Sequence, residues 1–147
     1  MSEESLEETL KFINAFNIDL KSFNDKFYKD ICGGSLDIVL DNLKTIYKGK
    51  SKYNTHLEIT TLLIDDLNTS AEELEMLCDF IVNELGCEVP LHFSKFFPMN
   101  KMNDRNPTKI ATLEKAKKIA IDSGLEYVYL GNVNTDKNSY CLIVESF

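Results

Sequence analysis

The chain has 147 residues, of which 44% are hydrophobic and 27% are charged, and its formal net charge is −8. Its length suits one globular domain with a core of its own, so a single domain is expected over residues 1–147. This negative net charge argues against a nucleic-acid-binding surface, which needs a basic face. No apolar run is long enough to span a membrane and no secretory signal opens the chain, so a cytoplasmic protein without a membrane partner is expected.

The first half of the chain alternates between helical and extended patterns. Ser35 is the expected N-cap of a helix whose apolar residues recur at helical spacing, and Gly33-Gly34 separates it from the preceding helical stretch. In chain order, the pattern predicts a helix at 6–15, a strand at 16–20, a helix at 24–31 and a helix at 36–47.

The second half continues the alternation. Ser70 and Glu73 are spaced as a capping box, and Gly124 is the expected stop of a later helix. The remaining predicted elements are a strand at 57–64, a helix at 71–85, a strand at 88–93, a helix at 108–122, a strand at 126–130 and a tail at 134–147. Within that tail, the apolar run 141–144 is a candidate extra strand.

Four strands separated by helices at this spacing are typical of βαβ units with right-handed crossovers. The predicted class is therefore α/β, with parallel strands and helices on the outside. Because a full (β/α) barrel needs roughly 200 residues or more, the chain corresponds to a partial barrel of about half that size, or to a small open sheet.

Polar side chains collect where these strands end, which is where parallel α/β sheets place their sites. The first strand ends in Asp19-Leu20-Lys21, so alternation puts a carboxylate and an ammonium on one side. The third strand carries His92 within PLHFSKFFP. Lys21 suits a ligand carboxylate, Asp19 an ammonium and His92 a ribose hydroxyl. Further candidates near the strand ends are Thr60, Thr61, Ser94, Lys95 and the loop 65–68.

Two simpler interpretations stay open at this point. Asp19 and Lys21 form a surface ion pair in one of them, and such pairs are common and contribute little. In the other, His92 is a core histidine bonded to a backbone carbonyl. The four cysteines, none in a C-x-x-C pair or at zinc-ligand spacing, are expected to be reduced thiols, mostly buried: Cys32, Cys78, Cys87 and Cys141.

Four ordered blocks of the sequence resemble a known family. NIDLKSFNDKFYKDICGGSLDIVLDNLK, HLEITTLLI, PLHFSKFFP and GLEYVYLGNV follow the C-terminal half of a radical SAM enzyme. The group most similar is the AmmeMemoRadiSam-system radical SAM proteins, relatives of pyruvate formate-lyase activating enzymes. The resemblance extends from Glu4 to about Cys141.

This resemblance implies a partial (β/α) barrel that binds S-adenosylmethionine and a 4Fe-4S cluster. Reductive cleavage of S-adenosylmethionine would yield a 5′-deoxyadenosyl radical. In that family, the positions that match Asp19, Lys21 and His92 face the bound S-adenosylmethionine. The cofactor carries out the radical chemistry, and these side chains hold and orient it.

The chain also departs from the family. The cluster-binding C-x3-C-x2-C loop is not found in it, and Met1 falls where the family has an internal methionine. A family motif T-Y-C-P-x-C-G corresponds to 139–142, but its second cysteine is missing. The family loop I-P-G-x-N-D corresponds to residues 64–69, which read IDDLNT, so the proline and glycine of its turn are lost.

Three hypotheses follow, and the sequence does not decide whether the chain is an enzyme. In the first, the chain is a fragment of a radical SAM enzyme that contributes part of the S-adenosylmethionine pocket and is inactive alone, with no cluster of its own. In the second, it is a non-catalytic assembly module, whose open sheet edge and apolar face pair with an N-terminal half or with a second copy. In the third, an unrelated small enzyme uses His92 as general base with Asp19.

Overall fold

The structure is a computed structural model that describes residues 3–98 and 102–133. Its strands are β1 (Ala15–Asp19), β2 (His56–Leu63), β3 (Leu91–Lys95) and β4 (Val128–Gly131). Its helices are α1 (Glu3–Leu10), α2 (Asp25–Phe27), α3 (Leu36–Tyr53), α4 (Ala71–Phe80) and α5 (Ile110–Asp122). α2 and α4 each continue into one π-helical stretch, at Tyr28–Cys32 and Ile81–Leu85.

The four strands form one parallel sheet in the order β1-β2-β3-β4. Strands that follow one another in both sequence and space, joined by right-handed crossovers, place all connecting helices on the same face of a sheet. This is the winding of a (β/α) barrel, and it confirms the predicted α/β class and its partial barrel.

One face of the sheet packs against the helices and forms the core. Residues at every second position of the strands, such as Ile59 in β2 and Phe93 in β3, are fully buried. They join apolar side chains of the helices, including Leu10, Leu43 and Leu113, in one hydrophobic cluster. The positions between them point to the opposite face, which no helix among the described residues covers.

Several element ends differ from the expected ones. α1 ends at Leu10 because Lys11 and Phe12 form a turn. α3 continues to Tyr53, beyond the expected end near Tyr47, and passes through Gly49, where the side chain of Leu10 packs closely against the helix. β3 begins at Leu91 because residues 86–89 form a turn before Pro90.

The predicted capping box at the start of α4 forms only in part. The Ser70 hydroxyl accepts a hydrogen bond from the Glu73 backbone N–H at 3.3 Å. The carboxylate of Glu73 does not return to Ser70. Instead it accepts hydrogen bonds from the Ser22 hydroxyl and, at 3.0 Å, from the Phe23 N–H. Glu73 is buried, so it fastens the loop after β1 to the first turn of α4.

Ser35 occupies the predicted N-cap position of α3, but its side chain makes no capping bond. The Asp25 carboxylate accepts the hydrogen bond from the Leu36 N–H instead, at 3.3 Å. Gly124 ends the helix before β4 as expected, with a φ of 105° that suits glycine.

The loop after β2 turns at Asp66, which has a left-handed φ of 66°. Asn68, which is 2% exposed, holds the loop through three hydrogen bonds. It accepts from the Ile64 N–H at 2.8 Å and donates to the carbonyls of Leu62 and Lys21 at 2.9 and 2.6 Å.

Within the described ranges, no helix combines the length and apolar character that a bilayer crossing requires. The tail 134–147, with its candidate strand at 141–144, lies outside the described residues.

Replacing Asp66 by glycine should stabilise the protein. Asp66 is exposed and holds a left-handed conformation, which glycine adopts without steric cost. We expect Asp66→Gly to raise the free energy of unfolding by about 0.5 kcal/mol in urea titrations, because relief of the left-handed strain exceeds the entropy that glycine adds to the unfolded chain. The control Asp65→Gly should destabilise, since the Asp65 carboxylate accepts a hydrogen bond from the Lys109 N–H. A loss of stability in Asp66→Gly would contradict this description of the turn.

Removing the Glu73 carboxylate should weaken the attachment of the β1 end to α4. Glu73→Ala leaves the Ser22 hydroxyl and the Phe23 N–H without their acceptor, so we expect a loss of about 2 kcal/mol in the free energy of unfolding. Glu72→Ala, in the same first turn but exposed, should cost about 0.5 kcal/mol or less. Equal losses in the two variants would show that only a helix-dipole effect is involved.

Candidate functional site

The uncovered face of the sheet carries a contiguous set of polar side chains, here called the polar face. Four of them lie in one row of register neighbours, one from each strand: Asp19, Thr60, His92 and Tyr129. Asn17 and Glu58 form the adjoining row on β1 and β2. Strand alternation puts these residues opposite the core, because side chains at every second position share a face. The expected apolar open face is therefore wrong, and the open face is polar.

Asp19 and Lys21 form an ion pair at the carboxyl end of β1. Lys21 Nζ lies 2.9 Å from Asp19 Oδ2, and both side chains are about half exposed. The backbone of Lys21 is held on both sides, since its N–H donates to the Tyr28 hydroxyl at 2.9 Å and its carbonyl accepts from Asn68. The backbone that carries the pair is therefore fixed, and the two charged groups are accessible to a ligand.

His92 is half-buried at the middle of the polar face. Its Nε2 lies 2.9 Å from Glu58 Oε2, and its ring stacks on Tyr129 with centroids 5.0 Å apart and an interplanar angle of 23°. The interpretation of His92 as a core histidine bonded to a backbone carbonyl is therefore wrong. Its carboxylate partner is Glu58, whereas Asp19 pairs with Lys21.

Glu58 binds both histidines of the chain. Its Oε1 lies 3.0 Å from His56 Nε2, and its Oε2 contacts His92. The hydrogen bond with His56, supported by the contact with His92, lowers the pKa of the Glu58 carboxyl below its ordinary value, although partial burial opposes this. The carboxylate form therefore dominates near neutral pH.

Sequence reasoning missed Glu58, His56 and Tyr129. Alternation along HLEIT puts His56, Glu58 and Thr60 on one face, which a strand pattern can reveal. The contact of Glu58 with His92 depends on the pairing of β2 with β3, where Thr60 lies beside His92. The register of one strand against another is set by tertiary structure, so a local sequence pattern does not predict it.

Asp19 and His92 are two strands apart in the same row. Neighbouring strands lie about 4.8 Å apart, so the two backbones are separated by about 10 Å. Thr60 lies between them, with its hydroxyl donating to Asn17 Oδ1 at 2.7 Å. An elongated ligand with charged groups at one end and a hydroxyl at the other matches this spacing.

The other candidates near the strand ends lie in different surroundings. Ser94 lies on the uncovered side, next to Leu62 and Gly131 in the sheet. Thr61 lies on the core side, where its buried hydroxyl donates to the Leu20 carbonyl at 2.7 Å. Lys95 places its ammonium over the ring of Phe97. Of the pair Thr60 and Thr61, only Thr60 belongs to the polar face.

The described residues do not fit an iron–sulfur cluster. No three histidine, cysteine or carboxylate side chains among residues 3–98 and 102–133 converge as metal ligands. Cys32 is exposed after α2, Cys87 is half-buried beside Glu126, and Cys78 is buried in α4. Burial raises the pKa of the Cys78 thiol to about 12, which disfavours the thiolate that a metal needs. Cys141 lies outside the described residues.

Comparison with solved structures shows where this fold occurs. A domain of a pyruvate-formate lyase-activating enzyme from Bacteroides vulgatus superposes with a TM-score of 0.76, over 89% of this chain and 75% of that one, at 15% identity. A radical SAM methyltransferase from Sphaerobacter thermophilus superposes with a TM-score of 0.61, over 86% of this chain and 37% of that one, at 12% identity. At such identities the likeness shows the fold alone.

No family model matches the sequence. An uncharacterized protein of Methanocaldococcus jannaschii is 41% identical over 131 residues, which are 88% of this chain. The chain spans 38% of the length of that curated relative. The solved structures show that the chain shares their α/β fold, and the sequence match shows that it resembles one part of a longer protein.

Proposed function

We propose that this chain is the S-adenosylmethionine-binding, C-terminal part of a radical SAM enzyme of the AmmeMemoRadiSam type, similar to pyruvate formate-lyase activating enzymes. One observation carries the proposal. Asp19, Lys21 and His92, the positions that the resemblance assigns to this cofactor, lie at one uncovered polar face.

The chemistry of these side chains matches the groups of S-adenosylmethionine. Lys21 offers an ammonium to the ligand's carboxylate, and Asp19 offers a carboxylate to its ammonium. His92 offers a ring nitrogen to a ribose hydroxyl. Because the Asp19–Lys21 pair is exposed and such pairs contribute little, exchanging one partner for a ligand group costs little free energy.

The cluster cannot be assembled from the residues that the structure describes, so we assign its cysteines to a segment other than 3–98 and 102–133. In a complete enzyme, S-adenosylmethionine bound beside a reduced 4Fe-4S cluster supplies the radical chemistry. The role of this chain is to bind and orient that cofactor, and by itself the chain is not a competent enzyme.

Binding of S-adenosylhomocysteine tests this function, since it carries the same amino acid and ribose without the reactive sulfonium. We expect isothermal titration calorimetry to detect weak binding by the purified chain. Lys21→Ala and His92→Ala should each weaken it about tenfold through loss of one charged or hydrogen-bonded contact. Lys118→Ala removes the same charge from an exposed α5 pair with Asp122 and should leave the affinity unchanged. No binding by the wild-type chain at millimolar ligand would overturn the proposal.

A second candidate function is assembly through the edge of β1. The Leu20 N–H donates to Thr60, and the Asn14 carbonyl accepts from His56, so the alternate residues Ala15, Asn17 and Asp19 turn their backbone groups away from β2. No other described strand pairs with that edge. Phe12, directly before β1, is 83% exposed. These features favour docking of an N-terminal half, or of a second copy, beside β1.

Sedimentation velocity and binding of a hydrophobic dye test this assembly. We expect the isolated chain to self-associate or to bind the dye, because nothing in the described part of the chain covers the β1 edge or Phe12. Phe12→Ser should reduce both effects. Ile38→Ser, which alters another exposed apolar side chain, on α3 and away from β1, should not. A monodisperse wild-type monomer that binds no dye would contradict the assembly hypothesis.

A further inference from the structure

We infer that Glu58 is a positioning residue that holds His92 in one tautomer, with Nδ1 left as the hydrogen-bond acceptor for a ligand hydroxyl. The ligand part of this inference rests on the proposed function. The tautomer part rests only on the geometry of the polar face.

The two oxygens of Glu58 are both engaged by imidazole Nε2 atoms. Oε1 lies 3.0 Å from His56 Nε2, and Oε2 lies 2.9 Å from His92 Nε2. An ionised carboxylate only accepts hydrogen bonds, so each neutral imidazole must carry its proton on Nε2. One carboxylate thereby sets the tautomer of both histidines.

This arrangement leaves His92 with a defined chemical role. With its proton on Nε2, the ring has a lone pair on Nδ1, and no group in the described part of the chain hydrogen-bonds that atom. Stacking on Tyr129 holds the plane of the ring. His92 thus accepts from a hydroxyl rather than donating to one, which suits a ribose hydroxyl as a donor and disfavours a carbonyl in its place.

Glu58→Gln is a sharp test because an amide is not a double acceptor. Glutamine has one oxygen that accepts and one NH₂ group that donates, so it satisfies one Nε2–H and one unprotonated Nε2. In this variant the two histidines are forced into opposite tautomers. The double variant His56→Ala/Glu58→Gln removes the competition and lets the amide oxygen accept from His92 again.

The measurement is ¹⁵N-edited NMR of the imidazole nitrogens, with the pH raised until the spectra of both rings show the neutral form, because only a neutral ring has a tautomer to report. We expect both histidines to carry Nε2–H in the wild type, and one of them to carry Nδ1–H in Glu58→Gln. The double variant should return His92 to Nε2–H. Glu84→Gln, which alters an exposed carboxylate paired with Lys44 on the helical side, should change neither histidine. Two Nε2–H histidines in Glu58→Gln, or Nδ1–H on wild-type His92, would overturn the inference.

Measuring the affinity of the same variants for S-adenosylhomocysteine tests whether the tautomer of His92 affects ligand binding. Any variant in which His92 carries Nδ1–H should bind about tenfold more weakly, and the double variant should recover this loss if His92 is the histidine that switched. Unchanged affinity with Nδ1–H on His92 would refute the role in ligand binding. If the wild-type chain binds no S-adenosylhomocysteine, the proposed function fails, while the NMR result still decides whether Glu58 sets the tautomer.

Discussion

The site depends on the winding of the sheet. Four parallel strands in chain order have their helices on one side, so half of the strand positions face a core and the other half face no helix in the described part of the chain. Apolar side chains such as Ile59 fill the first face. The second face carries carboxylate, hydroxyl and imidazole groups, which remain hydrated or pair with one another. The polar face therefore results from the alternation of strand positions between a helix-covered side and an uncovered side of the sheet.

Two buried polar residues fix the carboxyl end of β1 against this sheet. Asn68 donates to the Lys21 carbonyl, and Glu73 accepts from Ser22 and Phe23 just beyond it. Asn68 lies in the loop after β2 and Glu73 in the first turn of α4, so the Asp-Leu-Lys end of β1 is held by the chain that follows its neighbouring strand. An unsatisfied buried polar group costs about 1 to 3 kcal/mol, which makes this attachment specific. The side chains of Asp19 and Lys21 stay exposed and pair with each other, while their backbone is fixed.

The sequence predicts the α/β class, the four strands and the residues at the strand ends, because alternation and helical periodicity are local signals. It does not predict the partners of those residues. The contact of His92 with Glu58 requires the register of β2 against β3, and the contact of Glu73 with Ser22 joins groups 51 positions apart. The positions of the strand ends predicted Asp19, Lys21 and His92 as candidates but did not predict Glu58 as the partner of His92. Such contacts arise only when the strands are assembled.

Charge balance on the polar face is consistent with the proposed binding of a zwitterionic amino acid group. Asp19 is neutralised by Lys21, and Glu58 shares its charge with two imidazole N–H groups. A ligand that carries one ammonium and one carboxylate exchanges partners with the exposed Asp19–Lys21 pair and adds no net charge. A simple anion would instead meet Asp19 and Glu58 in a chain whose net charge is −8. Under the proposed function, this charge arrangement would disfavour simple anions and leave the Asp19–Lys21 pair to receive an amino acid group.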